Sequence, residues 1–182
     1  MGEIINILKH SKFWFILSLV LLTINFTRKN NNFFDIRSIF VQQFKLFKEC
    51  KYQVVIFYFV PLFLAIGTTI TKCIDKDIIN NIMIILSIFI SMLFAMLSIL
   101  NGYYDDNSAY VITLKETCNT IIFECILCIT TLIISFAQLF TDNYKCEGSI
   151  MLISGIIYYL MFAIFLHTFI IIKRMKALFD NR

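Results

Sequence analysis

The sequence predicts an all-α fold: a polytopic transmembrane helix bundle of four spans, preceded by an N-terminal short span or interfacial helix. Three observations carry this reading. The 182 residues are 59% hydrophobic and only 15% charged, with a mean hydropathy of +0.82. That is more apolar surface than a soluble domain of this size can bury. With one Pro and five Gly, helix breakers are scarce, and no segment shows the alternation of about ten residues that marks a membrane β-barrel. Finally, Ile82–Leu100 is apolar from end to end, without a charge or a proline. As a helix it is roughly 28 Å long, close to the thickness of a bilayer's hydrocarbon core.

Taken in order, residues 1–12 carry Glu3, Lys9, His10 and Lys12 ahead of the short apolar run Phe13–Phe26. A basic start and a short apolar core look like a signal peptide, but Thr27-Arg28-Lys29-Asn30 follows with no small-residue cleavage site. A retained short span or an interfacial segment is the expectation. Asn30, Asn31 and Asn32 break the pattern, and Asp35 is placed to cap a following helix. Ile36, Ile39, Phe40, Phe44 and Phe47 then recur at helical spacing, with Arg37, Lys45, Lys48 and Lys51 on the remaining surface. This basic amphipathic helix suits the headgroup layer of a membrane or the surface of a partner. Residues 1–53 therefore form one expected region and residues 54–182 a second, the four-helix bundle with a short tail.

The four spans are expected at Val54–Thr71, Ile82–Leu100, Thr120–Phe140 and Ile150–Ile172, with loops over Lys72–Asn81, Asn101–Asn119 and Thr141–Ser149. Pro61 lies near the middle of the first span, where it frees a carbonyl and kinks the helix. In the second, Ser87, Ser91 and Ala95 recur every fourth residue and Ser98 follows. Such a small-residue face lets a neighbouring helix come close, and a contact within the bundle is expected there. The last span stops at Lys173, Arg174 and Lys176. These cations, the basic helix and Lys115 fall on one side of a four-span topology, with only Lys72, Lys76 and Lys145 on the other. The bias places the C-terminus in the cytoplasm of a multi-pass inner-membrane protein.

Candidate chemistry is sparse. Cys73 and Cys146 fall in the two outward loops and could pair as a disulfide in an oxidising compartment. Cys125 and Cys128 read as packing residues, because a C-x-x-C inside a span lacks accessible thiolates. Asp105 and Asp106 read as a solvated loop. Two ionisable side chains lie inside the spans, Glu124 and His167. Counting along antiparallel helices puts both, with Tyr58, roughly 6–8 Å below the inner surface. Intramembrane ionisable groups mark function or a structural hydrogen bond, and both readings stand for this layer. Gln138 sits near the opposite surface and is given no role.

Phosphate-binding, metalloprotease and nucleophile-elbow motifs are all missing, and only His10 and His167 could serve as imidazole bases or ligands. The expectation is a non-enzymatic protein with no cofactor, no metal and no direct nucleic-acid partner. In outline, a small four-span bundle with a basic inner segment, short outer loops and no catalytic motif resembles the membrane components of bacterial anti-phage systems, above all the KwaA subunit of the Kiwa system. That resemblance is architectural, covers about residues 28–182, and implies a homo-oligomeric inner-membrane sensor with a KwaB-like cytosolic effector as partner. The basic residues Arg37 to Lys51 and Lys173 to Lys176 would dock that partner or membrane lipid. The alternative is a pore-forming or permeabilising effector, or a holin-like or small transport protein, gated at Pro61 and the Glu124/His167 layer.

Overall fold

The computed structural model describes residues 38–43, 51–101, 108–140 and 148–180, with side chains described for all but 51–54, 108–110 and 149. The chain divides into two compact units, Met1–Val41 and Gln42–Arg182. Of the first, residues 38–41 are described and are helical. The second holds four long helices: α1 (Lys51–Thr71), α2 (Lys76–Asn101), α3 (Ser108–Leu139) and α4 (Gly148–Asp180). Its described residues are helix apart from short connections and contain no strand.

Three of these helices, α2, α3 and α4, are long and apolar enough to cross a membrane. The apolar part of α1, Val55–Thr71, is shorter. The expected N-terminal run Phe13–Phe26 lies outside the described residues. Two expected loops shrink. Helix α2 starts at Lys76, so the connection after α1 is only 72–75, and α3 starts at Ser108, so most of the expected 101–119 loop is helix. Polar residues at both starts hid helices that need no apolar face beyond the hydrocarbon. At 32 and 33 residues, α3 and α4 are each about 50 Å long and overrun a core of about 30 Å.

Packing follows the order α1–α4–α3–α2. Against α3, α2 turns the stripe Ile79, Ile82, Leu86, Leu93 and Leu100, all buried. This near-heptad repeat is the spacing that packs one helix along another. Ser87, Ser91, Ala95 and Ser98 lie on the exposed side of α2, which corrects the contact expected for them within the bundle. The branched stripe fills the seam and turns the small stripe outward. The serine hydroxyls donate to their own helix, Ser87 to the Met83 carbonyl at 2.8 Å and Ser91 to the Ser87 carbonyl at 3.0 Å. The close small-residue contact is on α1 instead, where Pro61, Ala65 and Thr69 are buried at four-residue spacing. This face meets α4, and a Cβ built on Gly155 would stand 3.6 Å from the Thr69 hydroxyl.

The α1–α2 connection is pinned to α4. The Ser154 hydroxyl accepts the buried Ile74 N–H at 3.2 Å, and the Tyr158 hydroxyl donates to the Lys72 carbonyl at 3.3 Å. Asp75 caps α2 by accepting the Ile78 N–H at 2.8 Å, and it lies 3.0 Å from the Lys72 ammonium. The Ile78 N–H, then Lys72, hold the Asp75 carboxyl below its usual pKa. A lowered carboxyl contributes stability above its unfolded pKa and loses it as pH falls through the folded value. Asp75→Ala should therefore speed amide hydrogen exchange at Ile78 at neutral pH. Acidification through the carboxyl range should do the same to the native chain and leave Asp75→Asn, which keeps a capping oxygen, unchanged.

Candidate functional site

The α3–α4 interface carries the charged residues of the spans. Glu124 on α3 and His167 on α4 are buried, with side-chain exposures of 0% and 3%, and His167 Nδ1 lies 3.3 Å from Glu124 Oε2. That spacing is long for a charge-assisted hydrogen bond, and Glu124 Oε1 has no hydrogen-bond partner among the described residues. Three aromatic rings surround the imidazole: Phe57, Tyr58 and Phe123, at centroid distances of 6.2, 6.1 and 5.9 Å. Phe57 and Tyr58 come from α1, so the imidazole touches three helices.

Seven residues further along α4, Arg174 lies 3.5 Å from Glu116, eight residues back along α3. The two helices are therefore joined by two rungs, each with its acid on α3 and its base on α4. One is fully buried. The other is partly exposed, at 23% for Arg174 and 42% for Glu116, and is worth little by itself.

The same face of α3 is polar over its whole length. Thr117, Thr120, Glu124, Thr131, Ser135 and Gln138 are buried, and Cys128 is buried among them. Most of the hydroxyls are satisfied within the helix: Thr117 donates to the Thr113 carbonyl at 2.7 Å and Thr131 to the Leu127 carbonyl at 2.8 Å. The Thr120 hydroxyl donates to the Glu116 carbonyl at 2.9 Å and meets the Gln43 side-chain oxygen at 3.2 Å. The Ser135 hydroxyl has no hydrogen-bond partner among the described residues. Sequence reading missed this face and set Gln138 aside as interfacial, whereas it is buried. The signal was present as polar residues recurring at steps of three and four.

The remaining expected site residues fall apart from this interface. Lys173 and Lys176 are exposed at the end of α4, whereas Arg174 is engaged by Glu116. Arg37, Lys45 and Lys48, and the Lys51 side chain, lie outside the described residues. Pro61 lies inside α1 and is buried against α4. Cys73 is disulfide-bonded, and Cys146 lies outside the described residues, as do Asp105 and Asp106. Cys125 and Cys128 are free and buried. Among the described residues no three metal-ligating side chains gather. Compared with known proteins, the chain matches no family model, no curated protein and no solved structure.

Proposed function

We propose that this chain is a non-enzymatic, homo-oligomeric sensor or scaffold of the bacterial inner membrane, serving anti-phage defence and passing its state to a cytosolic partner at its basic end. The observation that supports this reading is the Glu124–His167 contact. It is a buried carboxyl–imidazole pair placed where three helices meet, and two helical turns of α4 connect it to the basic end. A change at the pair alters how α3 and α4 pack, and the Glu116–Arg174 rung lies on the same interface. A trigger acts by favouring one packing over the other, and only by the difference in its affinity for the two. The small stripe Ser87, Ser91 and Ala95, exposed on α2, is the surface a second copy would use.

Two substitutions test the reading. Lys173→Glu with Lys176→Glu should abolish capture of the cytosolic partner from cells that express the neighbouring genes. Unchanged capture would remove the docking role. Glu124→Gln should make capture indifferent to pH. A variant that keeps the native pH response would remove the sensing role.

The buried polar face of α3 favours a second reading, a pore-forming effector. Purified protein in liposomes would then carry ion current, and Cys128 would react with water-soluble thiol reagents. An electrically silent protein with an unreactive Cys128 returns the face to a packing role.

A further inference from the structure

A groove of about 400 Å³ opens where the end of α2 meets the first turns of α3. Its polar lining includes Lys115, Gln42 and Asn101, and its apolar lining includes Leu114, Cys118 and Ile122. It lies at the same end of the bundle as the Glu116–Arg174 rung. We propose that this groove binds the headgroup and one acyl chain of an anionic phospholipid. The site is separate from the Glu124–His167 pair and does not depend on the function assigned to that pair.

Charge is the first argument. Lys115 is exposed and has no acidic partner among the described residues, because the neighbouring Glu116 turns to Arg174. The groove is lined by a cation and side-chain amides, with no carboxylate among its described lining residues. Lys115 gives a phosphodiester a counter-charge and the amides give it donors, while the same cation repels the ammonium of a zwitterionic headgroup. Basic pockets between helices at the membrane surface take anionic headgroups in this way.

Register is the second. Ile122, Ile129 and Ile133 continue from Lys115 along the same face of α3, and all three are exposed. Lys115 to Ile122 is about 10 Å of helix, and Ile122 to Ile133 about 16 Å, half the thickness of the core. A headgroup held at Lys115 would lay its chain along this apolar track, down to the bilayer's midplane.

Cys118 supplies the readout, since it is a free, half-buried thiol in the groove wall. Purified protein in detergent would be labelled with a maleimide in the presence of short-chain phosphatidylglycerol, short-chain phosphatidylcholine or inorganic phosphate, with the labelled residue located by peptide mass spectrometry. Phosphatidylglycerol should protect Cys118 saturably, and the other two should not. Lys115→Gln should weaken that protection about five-fold, the contribution of one lysine near an anionic headgroup, whereas Lys173→Gln should leave it unchanged. Equal protection by phosphatidylcholine would reduce the groove to a generic lipid contact, and protection by phosphate alone would make the ligand a soluble anion. Absent protection, or protection that Lys115→Gln does not weaken, would also overturn the site.

Discussion

His167→Ala should destabilise the bundle by about 3 kcal/mol, while the double replacement Glu124→Leu with His167→Leu should stay within about 1 kcal/mol of the native chain. The asymmetry follows from burial. Removing the imidazole leaves Glu124, fully buried, without its one basic neighbour among the described residues. Removing both groups removes the desolvation cost as well as the contact. Two effects temper the single loss: polar side chains in the unfolded, membrane-embedded chain also find partners, and a carboxyl left without its imidazole can take up a proton. Both argue for the low end of the range seen when buried pairs are broken. Equilibrium unfolding in mixed micelles would measure the two variants. If both lost the same amount, the pair would be a net stabiliser and its functional reading would weaken.

That pair was legible in the sequence for a simple reason. Charged residues inside spans are rare enough to stand out, and antiparallel helices let depth be counted residue by residue. Glu124 and His167 could thus be placed at one level before any coordinates. The partner on α3 for Arg174 could not. Glu116 sat in a stretch read as loop, because helices that continue past the hydrocarbon lose the apolar signal that reveals them. For the same reason the groove beside Lys115 was hidden, since most of its wall was assigned to a loop. The polar face from Thr117 to Gln138 was hidden differently. Each residue is unremarkable in a membrane helix, and only the shared burial of the whole row distinguishes it.

Helix partners were less legible than the helices. Length and hydropathy reveal that a segment crosses, but lipid is as apolar as leucine, so burial does not select one face of a span over another. Two patterns competed on α2, a small stripe at Ser87, Ser91 and Ala95 and a branched stripe from Ile79 to Leu100. Both are known ways to pack helices. The branched stripe extends over about six turns and packs on α3, whereas the small stripe covers about two turns and its hydroxyls are already satisfied. The longer seam took the interior.

On α1 the outcome was the reverse, and this leads to the second large effect. Ala65→Leu should detach α1 from α4 at a cost of about 3 kcal/mol or more. Ala65 is 2% exposed, between Pro61 and Thr69 on the face that meets α4, and α4 is the helix that holds α1. Overpacking a filled core costs typically about 1–3 kcal/mol, and three added carbons cannot rotate away from an opposing backbone brought close by small residues. Helix α1 also contributes Phe57 and Tyr58 to the ring around His167, so its loss should open the imidazole to solvent. Ser91→Leu adds the same bulk to an exposed stripe on α2. It should leave the fold of one chain unchanged and act only on the association of copies. Protease protection of α1, together with oligomer size by light scattering, separates the two. Loss of α1 protection in Ser91→Leu, with none in Ala65→Leu, would return the close contact to α2 and overturn the packing order α1–α4–α3–α2.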